Sequence, residues 1–266
     1  MKKFTNAMYC LFGFLLFAVV VSVSAPKAYA THSWGGYHWA RIANPFTLKL
    51  GDNVSSLWDP YLATTSSNWS ASTVLDTTIV PGQGKANCRP TNGRVEVCDK
   101  TYGNNGWLGI AQIWVNGLHI TQGTTKMNDT YFDTATYNKP AWRNLVMCQE
   151  VGHTLGLDHQ DTTFNNTNLG TCMDYTNDPD GTIYGQLSNE HPNAHDYEEL
   201  GIIYAHLDSY TSVSQTIAQM AQNYGDGASE NRGEWGRLVR QHGRLAVFEK
   251  DFGGGNKLFT FVIFAE

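Results

Sequence analysis

Basic residues are scarce in this chain: 18 Lys and Arg stand against 24 Asp and Glu in 266 residues, a formal charge of −6. With no basic stripe, nucleic acid and anionic membrane surfaces are not expected as partners. Cysteine is scarce too, at five, and no two have the C-x-x-C spacing of a zinc-cysteine site. No segment repeats at a 20-to-50-residue period, which excludes solenoids and propellers. A glycine-rich phosphate loop and a G-x-S-x-G elbow are both missing, so phosphate cradling and serine-nucleophile hydrolysis have no anchor.

One long apolar stretch is present, at residues 11–23, behind Lys2 and Lys3 and ahead of Ala28-Tyr29-Ala30. A basic start, an apolar middle and an A-x-A end are the layout of a Sec-type signal peptide, here cleaved after Ala30. A membrane anchor is the competing reading, but the run is short for a bilayer span. Residues 1–30 are therefore expected to be removed, leaving a secreted, extracellular protein with no membrane attachment. Lys2, Lys3 and Lys27 leave with the signal and no acid does, which deepens the acidic balance. The remainder can bury a sizeable core, and one principal domain and a monomeric state are expected.

Loss of Cys10 leaves Cys88, Cys98, Cys148 and Cys172 in a chain that enters an oxidising compartment, so disulfides are expected. Four cysteines allow three pairings. Cys88 and Cys98 flank Thr91-Asn92-Gly93, a hairpin-turn signal that would bring them together, and Cys148 and Cys172 then pair by elimination. Free thiols or a zinc-cysteine site remain the alternative.

Strand signals dominate the first half: an interrupted strand over 37–54, a strand over 74–80, the turn at Asn92-Gly93, and a β-rich run over 107–115 closed by Asn116-Gly117. A tryptophan-bearing stretch over 55–72 fits a helix. Asn138 is a candidate N-cap with Pro140 in the first turn; Trp142, Leu145, Val146, Gln149 and His153 follow at helical spacing, and Gly156 stops the helix. A loop rich in Asn, Thr and Asp runs to Asn189, and a helix over 192–207 carries Tyr197, Leu200, Ile203 and Tyr204 as its buried stripe. Beyond 208 come a polar helix over 215–222, a Gly/Asp/Ser linker and three strand-like segments, WGRLVR, RLAVFE and KLFTFVIF. These read as a small β appendage that packs on the main domain.

Gln149-Glu150-Val151-Gly152-His153 places residues 149 and 153 one helical turn apart, pointing at one spot, with a carboxylate beside them. Gly156 lets the chain double back so that His159 can join. Ligands on one face, an adjacent base and room for substrate are what metal-assisted peptide hydrolysis needs. The spacing E-x-x-H-x-x-G-x-x-H in EVGHTLGLDH, with Cys172-Met173-Asp174-Tyr175 downstream, resembles the metzincin metallopeptidases of matrixin and astacin type, over roughly residues 37–207.

That resemblance implies zinc held by His153, His159 and Gln149, with Glu150 as general base. Met173 would be the apolar floor beneath the metal and Tyr175 a donor to the transition state. It further implies that Ile110, Ala111, Gln112 and Ile113 lie on an edge strand where substrate adds as an antiparallel strand. Latency through a cysteine switch or long pro-segment is not expected. Gln149 stands where the family has its first ligand histidine. An amide oxygen is a poorer donor than imidazole, and replacing a ligand should weaken binding by at least the 10- to 100-fold typical of losing an outer partner. Two function classes follow: a secreted zinc endopeptidase acting on peptide or protein substrates, or a metal-free relative serving as a peptide-binding or structural protein.

His119, His191, His195 and His206 could be auxiliary ligands, but lone histidines are commonly hydrogen-bonded surface or core residues. His195-Asp196 opens a helix, where capping is the commoner role. Asp178-Pro179-Asp180-Gly181 reads as a turn, since the remaining ligands of a calcium loop are absent. The expected fold is α+β: a twisted, mixed and mostly parallel sheet on an active-site helix, with a Met-turn subdomain from Gly156 onward. The expected divisions are signal (1–30), metallopeptidase-like domain (31–208) and C-terminal helix with β appendage (209–266).

Overall fold

The computed structural model describes residues 31–84, 88–213 and 229–265. The expected signal peptide and the polar helix over 215–222 lie outside the described residues.

Nine strands form one mixed sheet: β1 (His38–Trp39), β2 (Phe46–Asn53), β3 (Leu75–Pro81), β4 (Arg94–Lys100), β5 (Trp107–Asn116), β6 (His119–Asn128), β7 (Arg237–His242), β8 (Leu245–Gly253) and β9 (Asn256–Phe264). Their order is β3-β2-β4-β6-β5-β9-β8-β7, with β1 also on β6. The ladders β2·β3, β2·β4, β4·β6 and β1·β6 are parallel. The ladders β5·β6, β5·β9, β8·β9 and β7·β8 are antiparallel. The sheet is therefore mixed in equal parts, and the mostly parallel expectation holds only for its first half.

Helices α1 (Asp59–Trp69) and α3 (Pro140–Thr154) pack together against β3, β5 and β6. Pro140 opens α3 with a φ already suited to a helix, and the N-cap is Lys139 rather than Asn138. Buried indoles hold α3 in place: Trp39 Nε1 donates to Thr154 O at 2.9 Å and Trp69 Nε1 to Cys148 O at 3.2 Å. Two smaller helices, α2 (Asp129–Phe132) and α4 (Ala194–Ile203), complete the fold. Asn193 and Asp196 form a capping box on α4, the capping role expected of Asp196.

The three C-terminal strands are not an appendage. The described residues from Thr31 onward form a single compact unit, and β9 joins the sheet through β5. Alternation explains why β8 and β9 fit there. Leu245, Val247, Phe259, Phe261 and Ile263 enter the main core, while Ala246, Phe248 and Val262 meet Trp107, Ile110 and Trp235 on the other face. Burying each of the larger side chains contributes about 1.5 to 3 kcal/mol. The fully buried Lys126 ammonium on β6 pairs with Glu230 at 2.7 Å, anchoring the segment that leads into β7.

Cys88–Cys98 and Cys148–Cys172 are both bonded, as the sequence reading paired them. The first arises differently from the expectation: Cys88 lies outside any strand with φ +45°, and β4 pairs in parallel with β2 and β6, so no hairpin joins the two cysteines. The second ties α3 to the turn carrying Met173. Its 24-residue separation corresponds to about 3 kcal/mol of loop-closure stabilisation.

Candidate functional site

Helix α3 ends at Thr154, and Gly156, at φ +96°, reverses the chain. A Cβ there would lie 2.2 Å from Tyr37 O, so only glycine fits. The returning segment delivers Leu157 O to His153 Nδ1 at 2.9 Å. A carbonyl only accepts, so Nδ1 carries the proton and Nε2 presents its lone pair. Nε2 lies 3.2 Å from Nε2 of His159. Ligands at zinc–nitrogen lengths of 2.0–2.1 Å in a tetrahedron stand about 3.3 Å apart, so the two rings are spaced to share one ion.

Gln149 lies one turn earlier on the same helix. Its Nε2 donates to Cys172 O at 2.8 Å and Asp174 O at 3.4 Å, which leaves Oε1 buried without a hydrogen-bond partner among the described residues. Met173 packs beneath Gly152, where a Cβ would come within 2.6 Å of its sulfur. The Met173 turn is fixed by the disulfide and by Asp174, which accepts from Leu169 N and Asn189 Nδ2 at 2.8 Å each. Thr171 Oγ1 donates to Asp196 Oδ2 at 2.5 Å, linking the turn to the α4 cap. Two imidazole nitrogens and an amide oxygen are donor types zinc accepts, the amide being the poorer of the two.

Glu150 points elsewhere. Its carboxyl reaches toward β5, where a Cβ on Gly109 would lie 2.7 Å from Oε1, and neither oxygen has a hydrogen-bond partner among the described residues. Burial pushes its pKa well above the ordinary carboxyl value. Burial, reinforced by the neighbouring His159, pushes His153 well down; burial likewise lowers His159. Gly109 was not singled out in the sequence, although a glycine inside a strand signals close approach by another group.

The centre is closed. His153 and Glu150 are 0% exposed, Gln149 1%, Tyr175 5% and His159 8%. The cover is the β7–β9 meander. Phe261 of β9 stacks on His153 with centroids 4.4 Å apart and planes 10° from parallel. Arg240 of β7 forks onto Asp158, beside His159, with Nη1 to Oδ2 at 2.6 Å and Nη2 to Oδ1. At the β7–β8 turn, Gly243 abuts the Tyr175 ring and Arg244 lies 4.9 Å over Phe164, itself 4.6 Å from Tyr175.

The structure thus gathers Gln149, Glu150, His153, His159, Met173 and Tyr175 around one half of α3. It does not make an edge of Ile110, Ala111, Gln112 and Ile113: β5 is paired on both sides, and Gln112 Nε2 donates to Thr260 Oγ1 of β9 at 3.1 Å. The edge expectation is corrected on this point. The antiparallel strand on β5 is the protein's own. Elsewhere Asp178-Pro179-Asp180-Gly181 is a turn, closed by Gly181 N to Asp178 O at 3.0 Å. His191 Nδ1 meets Asn68 Nδ2 at 2.8 Å.

No protein-family model and no curated protein matches this chain. Among solved structures it is similar to high choriolytic enzyme 1, a hatching enzyme zinc-protease from Oryzias latipes (medaka fish). The identity is 11%, over 63% of this chain and 94% of that chain, with a TM-score of 0.37. A likeness that distant carries no weight for fold or activity.

Proposed function

We propose that the chain is a secreted zinc-dependent endopeptidase held shut by its own C-terminal strands. The observation that carries this reading is the pair of Nε2 atoms of His153 on α3 and His159 on the returning segment, 3.2 Å apart, with Gln149 Oε1, which lacks a hydrogen-bond partner among the described residues, one turn earlier on α3. Those three residues would hold the ion. Zinc bound there supplies Lewis-acid polarisation of the scissile carbonyl and a water acidified toward pH ~7.

Glu150 is the group that takes the proton of the attacking water and passes it to the leaving amine. As folded, burial raises the Glu150 pKa and so opposes the ionised form a base requires; contact with water would relieve that penalty. The Tyr175 hydroxyl donates to the developing oxyanion. A peptide or protein substrate lies antiparallel along β5, in the place β9 now fills. Displacing the meander would therefore do two things together: free the β5 edge and uncover His153. Secretion is supported by the two disulfides, which persist in oxidising compartments.

The alternative is a metal-free relative that binds peptides or acts structurally, and it too has an observation in its favour: the Gln149 amide is anchored on the Met173 turn while Glu150 has an apolar seat. The deciding experiment measures bound zinc and hydrolysis of a generic protein substrate in the wild type, Glu150→Ala, His159→Ala and Gln149→His. Zinc lost in His159→Ala and hydrolysis lost in Glu150→Ala support the peptidase. A zinc-free, inactive wild type that gains both in Gln149→His establishes the alternative. Hydrolysis that survives Glu150→Ala sinks the mechanism.

A further inference from the structure

We propose that His38, His119 and Asp208, completed by His206, form a second metal site that takes a zinc-like divalent transition-metal ion. It shares no residue with the centre on α3 and does not depend on that reading.

Three separate stretches of chain converge here. His38 on β1 stands opposite His119 on β6 in the parallel ladder. The segment after α4 returns alongside β1, with Asp208 N donating to Arg41 O at 2.9 Å and Ser212 N to Ala40 O at 2.8 Å. That return sets Asp208 Oδ1 3.1 Å from His119 Nε2 and 3.5 Å from His38 Nε2. His206 Nε2 lies 3.1 Å from His38 Nε2 and 3.7 Å from the same carboxylate oxygen. These separations bracket the ~3.3 Å edge of a tetrahedral zinc site. The His38, His119 and Asp208 donor atoms all lie within 4.8 Å of one another.

The far sides of these ligands are fastened as metal ligands require. His38 Nδ1 donates to Gly36 O at 2.8 Å, so its Nε2 turns a lone pair into the cluster. His119 Nδ1 meets the Tyr210 hydroxyl at 2.7 Å. Arg41 occupies the other oxygen of Asp208, through its backbone N–H at 3.1 Å and Nη1 at 2.9 Å, leaving Oδ1 for the cluster. The His38 lone pair therefore faces a carboxylate oxygen and a second imidazole nitrogen, donors that a divalent cation between them would satisfy together. His38 is buried while the His206 side chain is 55% exposed, so the site is shut on the strand side and open to solvent on the other. Imidazole and carboxylate without thiolate match zinc, nickel or copper rather than calcium or magnesium.

The test titrates chelator-treated, full-length protein with zinc chloride alone. The variants are wild type, His119→Gln and the surface substitution His206→Ala, with bound zinc per chain and histidine side-chain nitrogen NMR as readouts. Expected are one equivalent of zinc lost or weakened at least 10-fold in His119→Gln, a smaller loss in His206→Ala, and displacement of the wild-type His38 and His119 Nε2 resonances on loading. Should His119→Gln misfold, the wild-type resonances still decide. Resonances that stay in place under zinc, or zinc uptake identical in the folded variants, mean that the cluster is a hydrogen-bond network only and overturn the proposal.

Discussion

His153 and His159 bring two Nε2 atoms to 3.2 Å in a space sealed from solvent, whereas His38 and His206 bring theirs to 3.1 Å at a half-open rim. The donors are alike and the surroundings are opposite. At the inner centre the nearby carboxyl of Glu150 has its pKa raised by burial and has no hydrogen-bond partner among the described residues; at the outer one Asp208 is held by Arg41, its pKa lowered despite burial by the backbone of Arg41 and by the adjoining His119 and His38. A rim site can load from solvent in the folded protein. A sealed one can load and turn over only after something moves, and what covers it is the β7–β9 meander. Three substitutions press on this difference, in order of decreasing effect.

Phe261→Ala should have the largest consequence. The ring is buried, stacks on His153 and touches Trp34 edge-on at 5.3 Å. Its removal should cost about 3 to 5 kcal/mol, a fall in melting temperature on the order of 10 °C by calorimetry. Under the latent-peptidase reading, zinc uptake at His153 and His159 and hydrolysis both rise while the outer cluster binds as before. A protein that loses this stability yet leaves the inner centre equally inaccessible would show that β9 supports the core without gating the site.

Gln149→His comes next. An imidazole in place of the amide oxygen should tighten zinc at the inner centre by at least about 10- to 100-fold, the loss typical of removing an outer partner alone. Calorimetric titration should show no change at the outer cluster, because the two sites share no residue and distant effects add independently. Equal tightening at both sites would mean that they are coupled through the sheet.

Much of the inner centre was legible in the sequence, because its ligands sit within one helix and the turn that follows: the spacing from Gln149 through His159, the glycine at 156 and Met173 downstream all hold the relations their order implies. Strand existence was legible for the same local reason. Partnership was not. β5 and β9 lie more than 140 positions apart, and nothing local states that KLFTFVIF will pair with the run that holds Ile110. A signal existed, since an almost unbroken apolar run reads as a strand buried on both faces rather than as an outlying hairpin. The outer cluster was hidden by the same distance: His119 and His206 were weighed singly, and only the parallel pairing of β1 with β6 and the return after α4 bring them to His38 and Asp208.

Arg240→Ala carries the smallest effect. Its side chain is 32% exposed, so loss of the fork onto Asp158 should cost only about 0.5 to 1 kcal/mol. That corresponds to a roughly 2- to 5-fold larger population of the open form, read as faster zinc uptake at the inner centre. Acid tests the same contact from the other side. Burial raises the Asp158 pKa, but bonds from His159 and Arg240 outweigh it and hold the carboxyl far below its usual range. A depressed carboxyl contributes stability that is complete above the ordinary value near pH 4 and is lost only as the pH falls toward the folded-state value. At pH 5 the fork should therefore stay closed. Zinc uptake at the inner centre that is as slow at pH 5 as at pH 7 is the expected result, whereas faster uptake at pH 5 would mean that the Arg240 fork onto Asp158 does not secure the cover.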